Sequence, residues 1–158
     1  MAGYSHFDEL GRPLMVDVGG KNHTRRRAVA ECLVDLPEKV YEALLNGENF
    51  KGDPIKAAEL CGIMGAKKTP DLIPLCHQIK LDSVRVKCEL MDTGRTLRIE
   101  CEASANDVTG VEMEAMVGVT VAALVFYDMC KAIDKGIKIK EARLLEKSGG
   151  KSGFWKTQ

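Results

Sequence analysis

Aromatic side chains are scarce in this sequence, with one Trp, three Tyr and four Phe among 158 residues. A sheet that reads single-stranded RNA stacks bases on strand aromatics, and the alternating segments described below contain none. An excess of one charge is also missing, because 23 Lys and Arg balance 23 Asp and Glu. Generic nucleic-acid binding leaves a basic surplus, so no nucleic-acid partner is expected, although a local phosphate pocket is still permitted. The six cysteines, at 32, 61, 76, 88, 101 and 130, include no C-x-x-C pair. Most sit among apolar neighbours, as reduced core thiols of a cytosolic protein do. The N-terminus, Met-Ala-Gly-Tyr-Ser-His-Phe-Asp-Glu, has neither a charged leader nor an apolar segment. No signal peptide is visible, and a cytoplasmic location is expected.

What the sequence does have is an uncharged run of 13 residues, Ala115 to Tyr127. It falls short of the roughly 20 residues that a bilayer span needs. About 25 residues from Gly110 to Asp134 contain no proline, too long a stretch for an ordinary strand. The spacing predicts one buried core helix with ionisable residues at both ends, apolar on nearly all sides and so covered on nearly all sides. From Thr24 the chain alternates: Ala28, Ala30, Cys32, Val34 and Leu36 fall on one face, with Arg25, Arg27, Glu31 and Asp35 on the other, a half-buried strand. Asp35 with Glu38 has the spacing of a capping box and Pro37 suits a first turn, so a short helix follows and ends at Asn46-Gly47. A second start signal is Asp53-Pro54, opening a helix to about residue 66. Two prolines in Thr69 to His77 make an ordered, irregular loop.

Two further strands alternate through Val84, Val86, Cys88 and Leu90, then Leu97, Ile99, Cys101 and Ala103. The turn Asp92-Thr93-Gly94 joins them into a hairpin. After the long helix, Ile137, Ile139, Ala142 and Leu144 form a last strand with a bulge near Lys140-Glu141. The order is strand, helix, helix, strand, strand, helix, strand. It predicts a single α+β domain over 1–158: a ferredoxin-like sandwich, an antiparallel sheet with helices packed on one face and one extra helix. Residues 1–13 and 148–158 are expected to be flexible.

The ionisable groups at the ends of the long helix are the first candidates for chemistry. Asp128 and Lys131, three apart, share a helix face. They read either as a plain ion pair at a helix end or as a proton-transfer pair perturbed by the apolar wall behind it. At the other end, Glu112 and Glu114 read either as acids stabilised by the helix dipole or as site carboxylates. Fourteen residues separate Glu114 from Asp128, about 21 Å along a straight helix. A small substrate cannot touch both within one chain, so if both serve one site a neighbouring copy brings one of them. His77 follows Cys76, but no second ligand pair has metal spacing, which leaves a substrate contact or a structural histidine. Lys51, Lys67, Lys68, Lys147, Lys151 and Arg26 sit in loops or at element ends, several beside glycine, where backbone N–H groups can approach an anion. Gly150-Lys151-Ser152 is no Walker motif, since Leu145 occupies the upstream glycine position.

Five stretches taken together resemble the molybdenum cofactor biosynthesis protein C family, the cyclic pyranopterin monophosphate synthases. They are Lys51-Gly52-Asp53, Asp71 to His77, Thr109 to Ala115, Tyr127 to Ala132 and Lys147 to Gly153. The resemblance runs from about Met15 to the tail. It implies a lyase of molybdenum cofactor (molybdopterin) biosynthesis that converts 3′,8-cyclo-7,8-dihydro-GTP into cyclic pyranopterin monophosphate and diphosphate. It also implies a homohexamer, a trimer of dimers with sites at the dimer interface. Carried over by position, Asp128, Lys131 and Lys51 are catalytic. Leu75, Cys76, His77, Glu112, Met113 and Glu114 line the substrate, and Arg26, Lys67 and Lys147 hold its phosphates. No cofactor and no metal are called for, with magnesium at the phosphates left open. The competing expectation is a non-catalytic ferredoxin-like module that binds RNA or a small regulatory ligand.

Overall fold

The computed structural model describes residues 6–47, 52–151 and 153–158. The elements follow in the order β1 (Thr24–Asp35), α1 (Glu38–Leu45), α2 (Pro54–Lys67), α3 (Thr69–Leu72), β2 (Ser83–Met91), β3 (Thr96–Asp107), α4 (Glu112–Cys130), β4 (Lys138–Ser148) and β5 (Trp155–Lys156). The strands form one sheet in the order β2-β3-β1-β4-β5, antiparallel at every pairing. Two helical crossovers around a central hairpin give the ferredoxin-like topology that the element order predicts.

Alternation decides which face each strand buries. Ala28, Ala30, Cys32 and Val34 of β1 and Leu97, Ile99, Cys101 and Ala103 of β3 are all fully buried, beneath Ala115, Val119, Ala122, Ala123 and Phe126 of α4. α2 lies beside α4, and glycines set how closely the two approach. A Cβ on Gly62 would stand 2.9 Å from the Gly118 carbonyl oxygen, and one on Gly118 would stand 2.6 Å from Cys101 Sγ. Backbone therefore meets backbone at the crossing, and α4 seats directly on β3.

Among the described residues, the opposite face of the sheet carries no helix, and β1 to β4 contain no aromatic. It is a ladder of cross-strand ion pairs. Arg27 bridges Glu102 and Glu146. Glu31, only 5% exposed, accepts from Arg98 Nε at 2.8 Å and from Arg143 Nε at 2.9 Å. Burial alone would raise the pKa of Glu31, but the two guanidinium hydrogen bonds outweigh it and hold the carboxyl below its ordinary range. A depressed folded pKa adds stability that is present above the unfolded value and is lost as pH falls through the folded one. Glu31→Gln should lower the urea-unfolding free energy at pH 7 by about 3 kcal/mol, the cost of stripping one partner from a buried charge cluster. The gap between parent and variant should narrow in acid.

Several local expectations change. Asp35 and Glu38 form no capping box: Pro37 occupies the N-cap of α1 with no side-chain cap, because Asp35 is still in β1 and its carboxylate pairs with Lys140 at 3.0 Å. The segment after α2 is not wholly irregular, since Pro70 in a first turn is compatible with the four-residue helix Thr69–Leu72. The long helix covers Glu112–Cys130, shorter at both ends than the proline-free stretch. Its cover is incomplete within one chain, with Met113 40% and Leu124 55% exposed. The register of β4 shifts between Leu33 and Val34, as the bulge near Lys140 predicts, and again between Val29 and Ala30. β4 also runs on to Ser148, so Lys147 lies in a strand.

Candidate active site

Two contiguous cavities open around the N-terminal end of α4. The outer one, about 650 Å³, is lined by Lys21, Arg26, Lys147, Lys151 and the Gly149-Gly150 backbone. The inner one, about 350 Å³, is lined by Leu75, Cys76, His77, Met113 and Glu114, together with Val16 and Val18. Lys21, Thr109, Gly110 and Glu112 border both. Each volume falls in or near the range of small-molecule sites. Four cations against one carboxylate make the outer cavity an anion receptor, while the inner one is narrower and less charged.

The fold fixes these side chains one by one. Arg26, third residue of β1, donates through Nε to the Asp107 carbonyl at 3.0 Å and through Nη2 to the Val108 carbonyl at 2.9 Å. The guanidinium then lies on the turn after β4. Gly149 and Gly150 have φ of +105° and +71°, and a Cβ on either would strike Arg25 O or Arg26 Nη1, so only glycine serves in both respects. Pairing of Lys147 with Trp155 across β4 and β5 anchors that turn. Lys147 Nζ donates to Glu112 Oε1 at 2.7 Å, with both groups less than a third exposed. This ion pair stands at the boundary between the cavities.

Glu114 is the unusual member. It is 2% exposed, and its Oε2 is buried with no hydrogen-bond partner among the described residues. Burial, reinforced by the Glu112 and Asp107 charges, pushes its pKa up to about 7. A carboxyl poised near neutrality in a cleft suits proton exchange. Burial and then the Glu114 charge also raise the Cys76 thiol, leaving it a poor nucleophile. His77 Nε2 lies 2.7 Å from the Val16 carbonyl oxygen. Among the described residues no three His, Cys, Asp or Glu side chains converge as metal ligands would.

The remaining predicted residues are elsewhere. Asp128 and Lys131 occupy the far end of α4, joined by a 2.6 Å ion pair with side chains 71% and 50% exposed, and border neither cavity. The expected desolvation is absent within one chain, and the hydrogen bond to Asp128 raises the Lys131 pKa instead. Lys67 borders a separate shallow recess with Ile63, Leu81, Asp82, Ser83 and Val84. Lys51 lies outside the described residues. Its neighbour Gly52 sits against Met129, with 3.7 Å between its Cβ position and Met129 Cε, at the Asp128 end of α4. Apart from Lys67 and Lys51, the candidates thus divide into two groups at opposite tips of one helix. Sequence reasoning missed Lys21, although Gly19-Gly20-Lys21 has the same glycine-beside-lysine context as the residues it did single out.

The MoaC family model matches residues 15–150, most of the chain. The protein belongs to the MoaC family. The chain is 50% identical over 155 residues to the cyclic pyranopterin monophosphate synthase of Lysinibacillus sphaericus, covering 97% of each chain. It is 48% identical to the enzyme of the same name from Pelobacter propionicus, over 98% of this chain and 97% of that one. It also matches molybdenum cofactor biosynthesis protein 1 of Drosophila melanogaster at 48% identity, over 95% of this chain and 26% of that longer protein. The family match spans both helix ends, which stand apart in a single subunit.

Proposed function

We propose that the protein is a cyclic pyranopterin monophosphate synthase of molybdenum cofactor biosynthesis, acting on 3′,8-cyclo-7,8-dihydro-GTP. The observation that carries this reading is the pair of joined cavities, one basic and one holding a near-neutral buried carboxyl, a shape that suits a nucleotide with its phosphates outermost. In the reaction the bond between the α-phosphorus and its bridging oxygen breaks. A substrate hydroxyl oxygen closes the cyclic phosphate on that phosphorus, and the bonding electrons leave with diphosphate. Arg26 and Lys147 carry the phosphates, with Lys67 recruited from its own recess. Leu75, Cys76, His77, Met113 and Glu114 enclose the base-derived ring, beside Glu112. Ring opening and reclosure move several protons. Lys131 serves as general acid with Asp128 tuning it and Lys51 close by, and no cofactor is needed.

Because Asp128 lies about 21 Å along α4 from Glu114, and Lys131 about 25 Å, a second copy supplies them. We place the site at a dimer interface of a hexamer built as a trimer of dimers. Six free thiols suit a reducing cytoplasm. Strands β1 to β4 carry no aromatic and β5 carries the single Trp155, which leaves the RNA-binding alternative without its stacking platform. Purified protein incubated with the cyclised nucleotide should release one diphosphate per cyclic pyranopterin formed. A binding module would release none.

A further inference from the structure

We propose that residues 16–22 form a strap across the two cavities, latched by the His77 imidazole to the Val16 carbonyl, and that the latch places Lys21 as a ligand for substrate phosphate. A backbone carbonyl only accepts, so His77 Nε2 carries a proton and donates across the 2.7 Å contact. Val16 and Val18 are partly buried while most of the arm around them is exposed. Both valines line the inner cavity with Leu75, His77 and Ile79, so the strap is also one of its walls. Asp17 fixes the next turn by accepting from the Gly19 N–H at 2.8 Å, and the Lys21 N–H closes it on the Val18 carbonyl at 3.0 Å. The far end is tied where His23 Nδ1 meets the Asn106 carbonyl at 3.2 Å. Lys21 is thereby carried to the border shared by the two cavities.

Of the other cations of the outer cavity, Arg26 donates to two backbone carbonyls and Lys147 to Glu112. Lys21 and Lys151 make no ion pair among the described residues, and of these two Lys21 also borders the inner cavity. An ammonium on a short strap, at the junction of a base pocket and a basic pocket, suits the first phosphate of a nucleotide. His77 is therefore a positioning residue that acts through the strap. The chemistry rests on the function proposed above, but the latch does not.

Two readouts separate the parts. Limited proteolysis by proteinase K within residues 14–23 reports the latch whether or not the protein turns over. Affinity for inorganic diphosphate reports the phosphate ligand in the same way. His77→Ala should speed strap cleavage and weaken diphosphate binding, each by about tenfold, the worth of one hydrogen bond to or near a charge. His77→Gln, whose amide N–H reaches the same carbonyl, should restore both. Lys21→Ala should weaken diphosphate about tenfold with cleavage unchanged, and Lys21→Arg should retain binding. In turnover, the Ala variants should raise KM far more than they lower kcat. Unaltered cleavage in His77→Ala overturns the latch, and unaltered diphosphate affinity in Lys21→Ala overturns the ligand. If the parent fails to turn over the cyclised nucleotide while both binding results hold, the activity reading falls and the strap stands.

Discussion

Lys131→Ala should leave the fold intact and lower turnover by about 10²–10⁴-fold, the usual contribution of a positioned general acid or base. Its side chain is half exposed and, among the described residues, its ammonium pairs with Asp128, three residues away at the same helix end. An exposed pair of this kind contributes little to stability, so the thermal midpoint should barely move. The loss would then be chemical. Within one chain Lys131 is exposed and its hydrogen bond to Asp128 raises its pKa, which is wrong for an acid working near neutral pH. Covering the pair with the apolar wall of a second copy would desolvate the ammonium and lower its pKa. Parallel measurements of turnover and melting check the pair of outcomes, and a variant as active as the parent would remove Lys131 from the mechanism.

Glu114→Gln should abolish most turnover and yet stabilise the folded chain in mild base. The Glu114 carboxyl has a folded pKa of about 7 against an ordinary 4.5. The folded protein therefore holds this proton more tightly than the unfolded chain does. The associated stability is present below about 4.5 and drains away as pH rises through 7. Glutamine keeps the shape and never ionises. Relative to the parent, its stability should gain about 3 kcal/mol between pH 4.5 and pH 8, at about 1.4 kcal/mol for each tenfold difference in proton affinity between the folded and unfolded chains. Urea unfolding of both proteins at those two pH values measures it. A difference that stays flat with pH would mean that the folded state does not hold Glu114 protonated.

Much of the fold was legible because strong alternation and explicit start signals coincide. The faces of β2 and β3 follow from period-two burial, whereas β1 is buried continuously from Ala28 to Cys32, and Asp53 accepts from the Ile55 and Lys56 N–H groups as its place before Pro54 implies. What escaped was decided by tertiary partners. Asp35 resembles a helix cap, yet Lys140 from β4 claims it. β5 forms because a glycine turn folds the tail back onto β4, and composition alone does not reveal that. At the site, a first-turn glutamate reads equally well as a solvated dipole partner. Only the packing shows Glu114 buried with an unpaired oxygen, and only the path of the arm brings Val16 against His77 and Lys21 to the border of both cavities. The division of the candidates between opposite tips of α4 followed from helical rise alone, and Glu114 and Asp128 do sit in its first and last turns.

That division leads to the most direct test. Glu114→Ala and Lys131→Ala, each inactive alone, are co-expressed with different tags and the doubly tagged oligomers isolated. If each site takes one tip from each of two subunits, random mixing makes about a quarter of the sites complete, so activity should return to about that fraction of the parent. Mixed oligomers as inactive as either variant would contradict a shared site and place all the catalytic groups within one chain.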